Sequence, residues 1–149
     1  MSLEHKSKSA YFFPLLADDL FCDLTPGSLA SLDRIKQTKR FAKNTCFFAR
    51  DDTPRRIYLL RRGKAQLLLN EDSKNISFGR LIEPNEIFGL TETIANLPYE
   101  TEAKTITACT CECIGRRDFI RFLKDEPEIC FRLVRLLGTN LQKSFSLIN

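Results

Sequence analysis

Three cysteines stand at alternate positions in Cys109-Thr110-Cys111-Glu112-Cys113. Thiolates are metal ligands and redox groups, so this run is the first place to look for chemistry. Its Thr- and Ile-rich setting favours a strand, in which alternate side chains share one face. The three sulfurs then start from Cα atoms about 6.6 Å apart, in a row about 13 Å long. Such a row does not converge on one tetrahedral ion without a bulge. No Cys-x-x-Cys pair occurs, and the single histidine, His5, lies in the polar N-terminal stretch. The expected role of the three cysteines is as small apolar side chains on an inner face, with no metal bound. Cys22, Cys46 and Cys130 are isolated and are expected to pack in the same way.

Catalysis has little to work with. A body without histidine cannot build a histidine-based triad or a facial metal triad. Neither a P-loop nor a G-x-G-x-x-G run is present. The carboxylate pairs Asp51-Asp52 and Glu100/Glu102 fall in turn and strand contexts, where solvated surface is expected. No catalytic residue is assigned and no enzyme is expected. The net charge of +4 is spread over short pairs such as Arg55-Arg56, Arg61-Arg62 and Arg116-Arg117. That dispersion is not the concentrated basic patch of a nucleic-acid surface.

The elements that would position these residues follow from periodicity. A chain of 149 residues suits one domain with a short appendage, and its 12 Phe supply much of the core in the absence of Trp. Residues 1–10 are polar and expected to be flexible. Residues 11–24 suggest a short helix or two turns. Thr25 then reads as an N-cap with Pro26 at the first helical position, and Leu29, Leu32 and Ile35 give that helix an apolar face. From residue 38 the period shortens. Strands are expected over 39–48, 57–60, 65–69, 76–82, 87–89 and 102–114, with Gly63 in a turn that needs positive φ. Residues 90–99 look irregular or briefly helical. Helices return over 118–124 and from 127 to about 148. Short strands broken by turns at this spacing indicate a sandwich or barrel-like unit bracketed by helices. No apolar run reaches the roughly 20 residues of a membrane span, and Pro14 with Asp18-Asp19 breaks any N-terminal leader. A cytoplasmic protein with reduced thiols is expected.

In the final helix Val134, Leu137, Leu141, Ser144 and Ile148 follow alternating spacings of three and four, a seam interrupted by Ser144. Ile129, Leu133 and Leu136 lie on an adjacent face. One stripe is expected to pack on the β unit while the other meets a second copy, making a homodimer through Val134, Leu137, Leu141 and Ile148. Gly138 costs helix propensity but permits close helix approach.

The order of these pieces resembles the effector domain of CRP/FNR-type transcription regulators. Residues 57–67, Ile-Tyr-Leu-Leu-Arg-Arg-Gly-Lys-Ala-Gln-Leu, resemble that family's strand–glycine turn–strand. Ile87-Phe88-Gly89 resembles the start of its phosphate-binding cassette, and Pro98-Tyr99-Glu100-Thr101-Glu102-Ala103-Lys104-Thr105 its exit. Cys111-Glu112-Cys113-Ile114 followed by Asp118-Phe119 resembles its last strand and next helix. The resemblance implies a mostly β fold with flanking helices. This is a double-stranded β-helix, or jelly-roll-like cyclic-nucleotide-binding roll, over 11–126 with a dimerisation helix over 127–149. It also implies a ligand site at Phe88, Gly89, Leu90, Thr91, Glu92, Tyr99, Glu100 and Thr101. In the family a phosphate nests on backbone amides and pairs with an Arg, while a Glu after the Gly takes the ribose hydroxyl.

This chain departs from that pattern where the ligand would sit. Leu90 follows Gly89, with Glu92 displaced, and the Arg position holds Tyr99 or Glu100. Neither replaces a guanidinium, and a carboxylate repels phosphate. The nearest cation in sequence, Lys104, belongs to the following strand. Asn85 stands for a turn glycine, a change that a left-handed Asn tolerates. The expectation is a degenerate site with no cofactor, in which cAMP or cGMP is not the favoured ligand and the small-molecule effector is another compound. DNA would be read only through a C-terminal helix-turn-helix domain not contained in these residues. The alternatives are a stand-alone cAMP or cGMP module and, less favoured, a redox sensor. The iron–sulfur branch of the family would want an N-terminal cysteine cluster, whereas only Cys22 lies there.

Overall fold

The computed structural model describes residues 13–71 and 76–146. Among the described residues nine strands form two antiparallel sheets. The five-stranded sheet has the order β1 (Leu15–Leu16), β7 (Glu86–Phe88), β4 (Arg56–Arg62), β9 (Cys109–Gly115), β2 (Lys36–Phe41). The four-stranded sheet runs β3 (Cys46–Phe48), β8 (Glu102–Thr105), β5 (Ala65–Glu71), β6 (Ile76–Ile82). Helices α1 (Ala17–Leu20) and α2 (Pro26–Ile35) precede most of the strands, and α3 (Leu90–Ala95) interrupts them. Helices α4 (Arg116–Asp125) and α5 (Pro127–Ser146) close the described chain.

Strand β4 is apolar on both faces over residues 57–60, whereas β9 is apolar on its inner face and carries Thr110 and Glu112 beside Ile114 on the other. Tyr58 and Leu60 join Cys109, Cys111 and Cys113 in a core between the sheets, together with Phe47, Phe48, Leu67 and Phe88. Ile57, Leu59 and Ile114 point the other way, into a second core roofed by helices through Leu32, Phe119, Phe122, Ile129 and Leu133. The cysteine run therefore fills space between sheets, as its alternation implies, and its three thiols are buried. Burial pushes the Cys111 thiol up to about 12. A thiol held so far from its thiolate is a poor nucleophile and a poor ligand.

Local signals set the element boundaries. Thr25 Oγ1 accepts from the Ser28 amide at 3.1 Å, with Pro26 at N1 of α2. Gly63 takes φ +95 in the β4–β5 turn, and Asn85 takes φ +81 before β7. Three expectations need correction. The expected strands over 39–48 and 102–114 are each two strands in different sheets, because the chain turns at 42–45 and at 106–108 to cross between them. Leu29 is 47% exposed, since α2 docks through Leu32 and through Ser28, whose hydroxyl donates to Glu126 at 2.7 Å. Cys22 and Cys46 do not pack. Cys22 follows α1 in a turn and Cys46 opens the edge strand β3, and both are exposed. Cys130 is half-buried against the helix-side core.

The seam of α5 also differs from the one expected. Leu137 packs onto the helix-side core and Ser144 is buried, its hydroxyl donating to the Asn140 carbonyl at 2.9 Å. Val134 (59%) and Leu141 (53%) are exposed, joined by Phe131 (62%) and Phe145 (46%). Phe131, Val134, Gly138, Leu141 and Phe145 keep the same alternation of three and four, rotated away from Leu137. Ile148 lies outside the described residues.

A Cβ at residue 63 would lie 2.3 Å from the Ala108 carbonyl oxygen, on a backbone already at positive φ. Gly63→Ala is expected to destabilise the domain by more than about 2 kcal/mol in urea unfolding, with the clash adding to left-handed strain.

Candidate ligand-binding site

The site is built where β7 leaves the five-stranded sheet. Gly89, at φ +73, turns the chain into α3 with no side-chain cap. A Cβ there would press on the Tyr99 hydroxyl at 3.3 Å and on Phe48 at 3.4 Å. Thr93 locks the short helix from within, its hydroxyl donating to the Gly89 carbonyl at 2.6 Å. Arg116 Nε, at the start of α4, donates to the Thr93 carbonyl at 2.9 Å. Asn96 at φ +56 ends the helix.

A cavity of about 290 Å³ opens beside this turn. Phe88, Gly89, Leu90, Thr91, Glu92 and Thr101 line it. Phe13, Leu15, Phe48, Leu67 and Ile87 complete its apolar wall. Helix α5 closes one side with Leu137, Asn140, Leu141 and Ser144. Asn140 also donates to the Phe13 carbonyl at 3.3 Å, tying the N-terminal segment to that helix.

Two residues assigned to the site from the sequence are elsewhere. Tyr99 does not line this cavity. It is buried behind it, stacked on Phe48 with centroids 3.7 Å apart. Its backbone pairs in both directions with the β3–β4 loop, through Tyr99 N to Asp52 O at 3.1 Å and Asp51 N to Tyr99 O at 2.8 Å. Burial pushes its phenol up to about 12. Its far side borders a separate, open cavity with Asp51, Asp52, Arg55 and Arg56. Glu100 is exposed. Leu90, at the expected ribose-binding position, belongs to the helix-side core and offers no acceptor.

The sequence reading missed Arg80, the one cation of the cavity wall among the described residues. Arg80 on β6 forks onto Glu86 of β7, with Nη1–Oε1 at 2.9 Å and Nη2–Oε2 at 2.6 Å. The signal was present in the strand period. Arg80 stands two residues before the buried Ile82, hence on the inward face of β6. Glu86 is 3% exposed, and burial pushes its carboxyl up while the guanidinium pulls it back. Arg80 also donates to the Leu81 carbonyl at 3.1 Å. Glu92 differs from Glu86. Burial and the charge of Glu100 both raise its carboxyl, and no cation pairs with it among the described residues.

The profile of the cyclic nucleotide-binding domain family matches residues 38–126. The chain belongs to that family. Across 84% of its length it is 23% identical to a CRP-like cAMP-activated global transcriptional regulator of Mycobacterium tuberculosis, and it spans 56% of that relative. The catabolite activator protein of Thermus thermophilus superposes with a TM-score of 0.79 at 19% identity, over 87% of this chain and 61% of that one. The sensor domain of the regulator DNR from Pseudomonas aeruginosa gives 0.68 at 18% identity, over 83% and 87%. These likenesses establish the roll with its long C-terminal helix, and the relatives so named are regulators. Around this cavity Arg80 is forked onto Glu86, Glu92 stands in the wall, and Tyr99 lies behind Gly89, stacked on Phe48. Among the described residues no helix is long and apolar enough to cross a membrane, and no group of three acidic, Cys or His side chains could hold a metal ion.

Removing one partner of the Arg80–Glu86 fork strands a buried carboxylate. Arg80→Met is expected to cost about 3 kcal/mol in denaturant unfolding, and adding Glu86→Leu should restore most of the loss. Equal instability of the single and double variants would mean that packing, not charge pairing, holds the two strands.

Proposed function

We propose that this chain is the effector-sensing domain of a CRP/FNR-like transcription regulator whose cyclic-nucleotide site has degenerated. The observation that carries the reading is the double duty of α5. Its inner residues Leu137, Asn140 and Ser144 wall the cavity, Phe131, Val134 and Phe145 form an exposed apolar seam on the outside, and Leu141 borders both. A ligand touching one side of a rigid helix biases the packing of the other, which is what a sensor must do. The seam spacing suits a helix pair, so the domain works as a homodimer in the cytoplasm. DNA contact falls to a separate domain of the regulator, and the chain itself carries out no catalysis.

Calorimetric titration with cAMP and then cGMP tests the degenerate site. No heat is expected up to millimolar nucleotide. Micromolar binding would overturn the reading and point to Arg80, released from Glu86, as the phosphate partner.

The dimer has its own test. Phe131→Glu combined with Val134→Glu should convert a dimer into a monomer by light scattering, with β-sheet circular dichroism unchanged. Leu137→Glu should instead lower stability by about 3 kcal/mol, because that side chain belongs to the core. A wild-type monomer at tens of micromolar would remove the dimer from this account.

A further inference from the structure

The charges around the cavity select against one class of ligand and in favour of another. Arg80 is held by Glu86 in a two-bond fork. Glu92 lines the cavity, and no described cation answers it. The wall contributed by α5 is uncharged, and Lys143 of that helix lies over the Phe13 ring, outside the lining. Ionised, these described groups carry one negative charge in excess.

The rest of the wall is apolar and aromatic. Phe48 and Phe88 both line it, and each is held rigid by a stacked tyrosine, Tyr99 at 3.7 Å and Tyr58 at 5.1 Å between centroids. Aromatic rings beside an unpaired carboxylate attract an organic cation, which loses less on desolvation than a phosphate would on meeting Glu92. We propose that the cavity takes a small organic ammonium ion with an apolar body, its charge facing Glu92 and its body against Phe48, Phe88 and the apolar wall. This inference rests on the sensor reading above and specifies the ligand class of that same site.

Three probes with one aromatic body and different charge test it by calorimetry on the intact chain: 2-phenylethylamine, 2-phenylethanol and 3-phenylpropionate. The amine should bind at least about tenfold more tightly than the carboxylate, and Glu92→Gln should erase that preference while leaving the alcohol unchanged. Glu92 lies on the cavity wall and is not in either core, so this isosteric change keeps the fold, which thermal unfolding verifies. Equal or tighter binding of the carboxylate overturns the ammonium assignment and leaves the sensor reading standing. So does a preference for the amine that survives Glu92→Gln. Binding of none of the three, with cAMP also silent, overturns the ammonium assignment together with the reading of this cavity as an effector site.

Discussion

Strand β4 lies at the centre of the larger sheet and buries both faces over residues 57–60, and the remaining elements are arranged to allow it. The four-stranded sheet covers Tyr58, Leu60, Cys111 and Cys113 on one side. Helices α2, α4 and α5 cover Ile57, Leu59 and Ile114 on the other. A strand apolar on both faces has no polar side to forbid a one-residue slip, so its register needs other markers. Glu112 supplies one. From β9 it reaches Lys36 on β2 at 2.9 Å and Arg61 on β4. Burial works against its ionisation, yet the two cations prevail and hold its carboxyl below the usual range. Gly63 supplies another marker at the end of β4, where the backbone of residues 108–109 leaves no room for a side chain.

The cavity is a consequence of that two-sided burial. Strand β7 ends where Ile87 turns to the helices and Phe88 to the space between the sheets. The chain must then leave the sheet, and Gly89 allows it to do so tightly against Tyr99 and Phe48. Helix α5, laid on the outer core through Ile129 and Leu133, extends far enough to close the gap with Asn140 and Ser144. The same packing therefore shapes the site and leaves the outer stripe of α5 unpartnered.

What was legible in the sequence follows from short-range physics. The Thr25-Pro26 cap, the positive φ of Gly63, the inward cysteines and the start of the last helix at Pro127 were read from residue type and period, and the left-handed Asn85 from the family resemblance. The places where that reading failed have one cause in common. Whether 102–114 is one strand or two, and whether Leu29 or Leu137 faces the core, depends on the partner element and its angle. A helical stripe wider than its contact leaves the choice of buried residues to the docking geometry.

The site divides along the same line. From sequence alone came the family resemblance, the loss of the ribose-binding Glu at Leu90, and the absence of an Arg in the cassette exit, because these are matters of residue identity. Only the tertiary structure brought Arg80 to Glu86, hid Tyr99 behind the cavity wall, and placed Glu92 in that wall with no cation paired to it among the described residues. Those facts depend on strands and turns distant in sequence meeting in space, and pairwise charge interaction falls off too steeply with distance and solvent exposure to be inferred before that meeting is known. The rotation of the α5 seam from Leu137 to Phe131 and Phe145 was settled in the same way. Hydrophobic burial is non-directional, and it is the shape of the core beneath the helix that chose which apolar residues it would take.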